Sequence, residues 1–518
     1  MKLRHWLMAR PIYALLIVVG AAGLLVFRDY GLTWDEPLFY KYADALGYAY
    51  TPSNWVSGTF DLNQSYGPSG DDHKTRGPGY LLLARAPVGI LERLGLDEAS
   101  AWHLANFATF VLGVYFVYRL CTLFASDTAA VVAAALFALQ PLLWGHAFIN
   151  PKDMPFLVFL TGAIWLGLRM VDRMATAGKQ SGWSGFAGTV FPGVLLGLAS
   201  SNRVLGPLAG LIVIAYFLAR RIPLRQGIWI LLYAALAFLV MVATWPYLWE
   251  APRRFLDVFQ LMSDNPTVLP VLFADHVYRA YELPRRYLPF YLVSTLTETV
   301  WPLFLLGLFA AAGALKKNSA RLAAAVLVLA WLVVPVAYFV VERPPVYDGM
   351  RHFLFVLPPI FVSCAMGLDW LLVHVRHVWL GLSIAALIVT PGAIGIVSLH
   401  PYEYTYYNSF VGGTAGAFRH YETEYWLTCY REAVERLNRS TSEPVRLFVH
   451  REPATAAPYA AANVSVLDER GQVSSIHSGD MILVNTRTNE DRQTFRNAPP
   501  LFTVGRAGAT FCVVKVVP

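Results

Sequence analysis

Long apolar runs recur along most of this chain and constrain its fold more than any other feature. A helix of about 20 apolar residues spans the hydrocarbon core of a bilayer, and most of the runs reach about that length. Of the 518 residues, 56% are hydrophobic and 14% are charged, which is too apolar for a soluble chain of this size. The sequence therefore predicts an α-helical polytopic membrane protein.

Hydropathy predicts about eleven transmembrane helices. The predicted spans are 11–27, 101–124, 128–147, 154–171, 187–201, 204–219, 227–245, 289–314, 321–341, 352–374 and 377–398. The first run resembles a signal peptide, but no small-residue cleavage site follows it, so we predict a retained helix. The stretch 187–219 is either two spans or one interrupted unit, because Ser200-Ser201-Asn202-Arg203 divides it.

Lysine and arginine residues predict the orientation, because cytoplasmic loops are enriched in them. With the N-terminus inside, every substantial inner loop is basic. The residues are Arg169, Arg173, Lys179, Arg220, Arg221, Arg225, Lys316, Lys317, Arg321 and Arg376. The tail and the long loops 28–100 and 246–288 are then outside. The Ala-, Leu-, Val- and Arg-rich composition indicates a bacterial inner membrane, with these segments in the periplasm.

The net charge of +7 does not predict nucleic-acid binding, because the basic residues are spread between the apolar spans. The predicted domains are a membrane domain, 1–400, and a small extracytoplasmic α/β domain, 420–518. Loop 28–100 should contain amphipathic or interfacial helices at 38–50 and 80–94. In the tail we predict a helix at 421–438, strands at 445–449, 481–484 and 510–517, and a turn at 505–508.

Two cysteines, Cys429 and Cys512, lie in this polar tail. If the tail is extracytoplasmic, they either form a disulfide or remain free thiols. A disulfide would tie the end of the chain to the first helix of the domain.

Acidic and basic residues gather at the outer ends of the predicted spans. They are Asp35, Glu36, Lys74, Arg76, Asp153, Arg203, Asp348, Arg351 and His352. Each alone has a structural explanation, such as a helix cap or an interface anchor. Acids and cations on one side of the membrane together favour a site that handles an anion and a proton, because charges at the membrane edge are costly to hold.

This ordered set resembles the polytopic glycosyltransferases of the GT-C type, in particular family 39, which includes protein O-mannosyltransferases and lipid A aminoarabinose transferases. Asp35-Glu36 matches the acidic pair in the first external loop of that family, and Asp153 matches its second acid. Arg203, after Gly197-Leu198-Ala199, stands where relatives carry a basic residue. Lys74 or Arg76 resembles the basic residue ahead of the juxtamembrane helix. The resemblance covers about 1–400.

The resemblance implies a polyprenyl-phosphate-linked sugar as donor and a hydroxyl of a protein, lipid or glycan as acceptor. Asp35 would be the base of an inverting displacement, and Glu36 and Asp153 would position acceptor and sugar. The predicted phosphate ligands are Arg203, Lys74, Arg76 and Arg351. No cofactor is required, and no His or Cys cluster indicates a metal, although acids are available for a divalent ion.

The segment from His400 to Asn408 has no counterpart that can be transferred residue by residue, which leaves the acceptor open. Its Tyr, His and Asn residues suit sugar hydroxyls, but docking of the tail explains them equally well. The candidate substrate-binding residues are Tyr80, Asp348, His352, His400 and Glu403.

The competing function is a transporter or flippase of a lipid-linked anion. It would share the helices and the basic residues, and a non-catalytic membrane scaffold is a further alternative. Transporters often show repeated halves and broken helices at the midplane of the membrane. Here no repeat is visible and the charges gather at one face, which favours the enzyme.

Overall fold

The structure, a computed structural model, describes residues 10–176, 182–263, 268–314, 318–375 and 377–518. Lys179, Lys316, Lys317 and Arg376, on which the orientation partly rests, lie outside these ranges. The helices are α1 Pro11–Val26, α2 Glu36–Leu46, α3 Pro52–Trp55, α4 Gly70–His73, α5 Gly79–Arg93, α6 Glu98–Cys121, α7 Asp127–Ala138, α8 Pro141–Ile149, α9 Asp153–Thr176, α10 Gly182–Asn202, α11 Pro207–Ala219, α12 Gly227–Ala243, α13 Arg254–Ser263, α14 Tyr287–Ser294, α15 Val300–Ala314, α16 Ser319–Glu342, α17 Pro358–Val373, α18 Val378–Leu399, α19 Gly413–Ala417 and α20 Cys429–Ser440.

The strands are β1 Pro270–Phe273, β2 His276–Arg279, β3 Val445–Val449, β4 Val464–Asp468, β5 Met481–Asn485, β6 Pro500–Arg506 and β7 Ala509–Val516. The first two form a small ribbon in the second external loop. The other five form one sheet in the order β4-β3-β5-β7-β6. Helix α20 packs on this sheet, so the predicted small α/β unit in the tail is present.

Within the described residues, 6 helices are long and apolar enough to cross a membrane. Helices α7 and α8 pass the same test only as a pair, with a bend of 64° between them. Helices α1, α11, α15 and α17 are apolar but shorter. The predicted polytopic helical fold is confirmed, and the number of spans stays a prediction.

Three of the predicted spans are interrupted in the structure and are not single straight helices. The span 128–147 is divided between α7 and α8, 289–314 between α14 and α15, and 352–374 starts with the 3-10 turn Arg351–Val356. A proline lies in the first turn of the helix that follows each break: Pro141, Pro302 and Pro358. Proline fits there because that turn does not use its missing N–H. The stretch 187–219 is likewise two helices, with Pro207 starting the second.

Helix α9 lies at the centre of the membrane domain, and 89% of its most apolar stretch is buried. It packs against α6, α10 and α11. Close packing depends on small residues here: a Cβ on Gly162 would lie 2.6 Å from Phe116. The helix begins at Asp153, and this central position places Asp153 beside the cavity described below.

The predicted tail helix 421–438 begins only at Cys429. The residues before it are buried and non-helical, because their side chains bind other parts of the chain. Glu424, for example, accepts hydrogen bonds from Tyr404 Oη at 2.5 Å and from the Thr428 amide at 2.7 Å. We call residues 400–428, which join α18 to α20, the connecting segment.

Of the two alternatives for Cys429 and Cys512, the structure has the second, since both are free thiols. They lie in one apolar cluster between α20 and the sheet. Burial raises the pKa of both thiols, which disfavours the thiolate that disulfide formation requires.

Candidate functional site

A cavity of about 240 Å³ lies where the first external loop, the start of α9 and the turn before α17 meet. Trp426 of the connecting segment closes one side. Its lining residues are Asp35, Phe39, Asp72, Thr75, Arg76, Ile149, Asn150, Pro151, Lys152, Asp153, Arg203, Leu261, Met262, Tyr347, Arg351, His352 and Trp426. Among these described residues, four basic side chains face three carboxylates.

Half of the predicted site residues come together in this cavity. They are Asp35, Arg76, Asp153, Arg203, Arg351 and His352. The remaining ones do not line it, and they are Glu36, Lys74, Tyr80, Asp348, His400 and Glu403.

Asp35 immediately precedes α2, but its side chain makes no capping hydrogen bond. Instead, Arg351 donates from Nη1 to Asp35 Oδ2 at 2.6 Å, and 28% of the Asp35 side chain remains exposed. Burial raises the pKa of Asp35, but the cations Arg351, Arg76 and Lys152 lower it more, so the net pKa lies below its ordinary value. The carboxylate is therefore ionised at neutral pH and accessible from the cavity.

Asp153 is held by a turn that Asn150 organises. Asn150 Oδ1 accepts from the Asp153 amide at 2.8 Å, and Asn150 Nδ2 donates to Asp153 Oδ2 at 3.2 Å. Arg203 donates to the other carboxylate oxygen and thereby joins α9 to the end of α10. Asp153 and Arg203 thus form a fixed ion pair at the cavity wall.

Lys152, Asp72 and Trp426 also line the cavity and were not selected from the sequence, although Lys152 directly precedes Asp153. The Nζ of Lys152 lies 5.4 Å from the centre of the Phe39 ring, and no carboxylate forms an ion pair with it within the ranges the structure covers. Burial and the cations Arg203 and Arg76 lower its pKa well below the ordinary value for lysine. An anion bound in the cavity would supply the missing negative charge.

Glu36 points away from the cavity although it follows Asp35 in the chain. It is fully buried and accepts hydrogen bonds from the Thr33 amide at 2.7 Å and from Tyr40 Oη at 2.6 Å. His103 Nε2 lies 3.1 Å from the same carboxylate. These contacts fix the start of α2, while a direct role of Glu36 on the acceptor stays an untested prediction.

Replacing Glu36 with Gln should lower the stability of the protein but leave its rate of sugar transfer unchanged. The neutral amide cannot accept all three contacts, so we expect the free energy of unfolding to fall by about 1–3 kcal/mol. Sugar transfer per folded molecule should stay near the wild-type value. Thermal unfolding in detergent, together with turnover normalised to folded protein, checks this. Loss of turnover in fully folded Glu36→Gln protein would contradict the structural role.

The other predicted residues outside the cavity have packing partners. The Lys74 carbonyl accepts from Trp245 Nε1 at 2.9 Å, and Tyr80 Oη donates to Asn106 at 2.7 Å. His400 lies between Asp29 and Glu403, at 3.0 Å and 2.7 Å. The contact between His400 and Asp29 joins the connecting segment to the first external loop, which agrees with the docking alternative for the segment.

No group of three or more His, Cys, Asp or Glu side chains suited to a metal ion occurs among the residues the structure describes. Metal independence stays a prediction.

Comparison with known proteins gives one family match and several structural matches. The model of the family described as dolichyl-phosphate-mannose-protein mannosyltransferase matches residues 89–248. No curated protein sequence matches the chain. The matched segment contains α9 and two of the cavity residues that sequence reasoning had selected, Asp153 and Arg203.

Solved structures match over nearly the whole chain. ArnT from Cupriavidus metallidurans, in the apo state, is 14% identical with a TM-score of 0.51, covering 99% of this chain and 98% of that one. The same protein bound to undecaprenyl phosphate is 13% identical with a TM-score of 0.50, covering 98% of each chain.

The archaeal oligosaccharyltransferase AglB from Archaeoglobus fulgidus, in complex with an inhibitory peptide and a dolichol-phosphate, is 15% identical with a TM-score of 0.52. The match covers 84% of this chain and 59% of AglB. The membrane helices, the small sheet in the tail and these matches agree with the predicted class. The chain is thus a multi-pass membrane protein with a fold similar to those of ArnT and AglB.

Proposed function

We propose that this chain transfers a sugar from a polyprenyl-phosphate carrier to an acceptor hydroxyl, with Asp35 as the base. The observation that carries the proposal is the cavity itself, in which the ionised and partly exposed Asp35 carboxylate lies among four basic side chains. A transferase of this type needs these two features: a base for the hydroxyl and positive charge for the departing phosphate. Among the similar structures, ArnT is bound to undecaprenyl phosphate and AglB is in complex with a dolichol-phosphate, which supports a lipid-phosphate donor.

In the proposed reaction, the bond between the anomeric carbon and the phosphate oxygen breaks, and both electrons leave with the lipid phosphate. Negative charge therefore grows on the phosphate as it departs. Lys152, Arg203 and Arg351 line the cavity and can stabilise that charge without rearrangement. Lys152 forms no direct ion pair within the described ranges, so an incoming phosphate does not have to displace a bound carboxylate there.

The acceptor oxygen attacks the anomeric carbon from the opposite side, and its proton passes to Asp35. This single displacement inverts the anomeric configuration. Asp153 faces the same cavity and can accept hydrogen bonds from sugar hydroxyls, while Trp426 offers an aromatic surface to a sugar ring. Burial and the cations Arg351 and Arg203 lower the pKa of His352, so a neutral imidazole is available to donate or accept one hydrogen bond.

The cavity is proposed to face the periplasm of an inner membrane. Helix α9 begins at the cavity with Asp153, and its other end borders a groove lined by Arg169, Arg220 and Arg321. A basic cluster at the end opposite the cavity supports the orientation predicted from the loops.

Reconstitution separates the enzyme from the alternative flippase. Purified full-length protein would be given a panel of undecaprenyl-phosphate sugars and an envelope fraction from a strain that lacks it. We expect one undecaprenyl phosphate to be released for each sugar that appears on an acceptor. Movement of the donor across the vesicle membrane with its sugar–phosphate bond intact would indicate a flippase instead. Mass spectrometry of envelope glycans in the deletion strain would then identify sugar and acceptor.

The affinity for undecaprenyl phosphate should fall as the pH rises through the lowered pKa of Lys152. Binding favours the charged ammonium, so the protein takes up a proton on binding and loses affinity once the amine is neutral. Measurements above about pH 7 avoid titration of the phosphate itself. Titration calorimetry in two buffers of different ionisation enthalpy detects the proton. Lys152→Met should bind more weakly at low pH and show less pH dependence; unchanged behaviour would exclude Lys152 from the phosphate site.

A further inference from the structure

Arg487 of the C-terminal α/β unit lies behind the cavity and is completely buried. It follows β5 and projects between two carboxylates that are also completely buried, Asp348 and Glu422. Its Nη2 lies 2.6 Å from Asp348 Oδ1, and its Nε lies 3.4 Å from Glu422 Oε1. A buried guanidinium must be compensated by such partners, because removing a charge from water is costly. None of these three residues lines the cavity.

A series of ion pairs leads from Arg487 to the proposed base. Asp348 uses its second oxygen, Oδ2, to bind Arg351 Nη2 at 3.0 Å, and Trp426 Nε1 donates to that oxygen at 3.2 Å. Arg351 then donates from its other terminal nitrogen to Asp35 at 2.6 Å. Each arginine thus holds the next carboxylate, and the series ends at Asp35.

Two further contacts show that the series is held in one geometry. Asp348 has a φ of +60°, an unfavourable conformation for a residue other than glycine, and Gly349 after it has a φ of +62°. Glu422 accepts from the Gly349 amide at 3.2 Å and so fixes this turn. The guanidinium of Arg487 also lies 4.6 Å from the ring centre of Trp34, the residue before Asp35.

We propose that Arg487 is a positioning residue that fixes the Asp35 carboxylate through Asp348, Arg351 and Trp34. The C-terminal unit is then a required part of the catalytic site rather than a separate docking module. The inference rests on the proposed function, in which Asp35 is the base. Arg487 touches no substrate, and it acts only by holding the groups around Asp35.

The test compares full-length wild-type protein with Arg487→Gln and Arg487→Lys. The matched control is Arg419→Gln, because Arg419 of the connecting segment pairs with Asp491 of the same unit at 2.5 Å and 2.7 Å and forms no ion pair with Asp348 or Asp35. Turnover is measured with the undecaprenyl-phosphate sugar that the panel above identifies, and it is normalised to folded protein. Affinity is measured with undecaprenyl phosphate alone.

For Arg487→Gln we expect kcat to fall by about tenfold or more, because small displacements of a catalytic group are costly. The affinity for undecaprenyl phosphate should fall much less than kcat, because Lys152 and Arg203 form no ion pair with Arg487 or Asp348 and keep their positions. Arg487→Lys should recover part of kcat, and Arg419→Gln should turn over like the wild type. Wild-type kcat per folded Arg487→Gln molecule would overturn the inference, because a purely structural role lowers yield and not kcat.

A second variant and a hydrogen-exchange measurement cover the two cases in which turnover of Arg487→Gln gives no answer. If Arg487→Gln does not fold, Glu422→Gln/Arg487→Gln removes the acidic partner of Arg487 together with the guanidinium, so that Glu422 is not left buried without its partner. If the wild type turns over no donor, the proposed function fails, and amide hydrogen exchange at residues 33–36 then decides the inference. Faster exchange there in the Arg487 variant than in the Arg419 control supports positioning, and equal exchange overturns it.

Discussion

Asp35→Asn is expected to lower kcat by about a hundredfold to ten-thousandfold, the range that a general base contributes. The amide keeps the size of the side chain but cannot accept the proton of the acceptor. The affinity for undecaprenyl phosphate should not fall, because the substitution removes a negative charge from a cavity that binds an anion. Rapid-quench turnover and a separate binding measurement give the two values.

Glu36→Gln is the matched control for this change, since it neutralises the neighbouring carboxylate, which does not line the cavity. The dependence of wild-type activity on pH adds a second check. The lowered pKa of Asp35 keeps it ionised below the ordinary value of about 3.9, so activity should persist to that pH wherever the protein stays folded. Wild-type turnover in Asp35→Asn would remove Asp35 from the base role.

Arg203→Ala should weaken binding of undecaprenyl phosphate by about tenfold to a hundredfold, the effect of losing one or two charge-assisted hydrogen bonds. The KM for the acceptor should change much less. Equilibrium binding of undecaprenyl phosphate measures the first effect, and steady-state kinetics measure the second.

The pairing of Arg203 with Asp153 calls for one more variant. Arg203→Ala leaves Asp153 without its partner, whereas Arg203→Ala/Asp153→Asn does not. If the double variant regains the wild-type affinity, the loss came from the unpaired carboxylate. In that case Arg203 supports Asp153 and is not a phosphate ligand.

Much of the site was predictable from the sequence, because topology alone brings alternate helix ends to one face of a membrane. Asp153, Arg203 and His352 all lie near the ends of apolar segments, and all three line the cavity. Asp35 and Arg351 are 316 residues apart, yet the same rule placed both at the outer boundary. The helical fold was also predictable, because the length of the apolar runs indicates helices that cross a membrane.

The remaining details depend on side-chain direction and packing, which sequence spacing does not encode. Asp35 and Glu36 are neighbours, but adjacent residues at a helix start point about 100° apart, and only one reaches the cavity. Lys152 could not be separated from an ordinary loop lysine until its lack of a carboxylate partner was visible. Arg487 lies in a polar tail with no motif, and only the tertiary structure brings it to Asp348.

The most direct measurement of the central claim is the anomeric configuration of the product, determined by nuclear magnetic resonance after a single turnover. A displacement with Asp35 as the base predicts a product inverted relative to the donor, with one undecaprenyl phosphate released for each sugar transferred. Asp35→Asn protein should form product at least about a hundredfold more slowly in the same experiment while still binding undecaprenyl phosphate. A product of retained configuration, or product formed by Asp35→Asn at the wild-type rate, would contradict the mechanism.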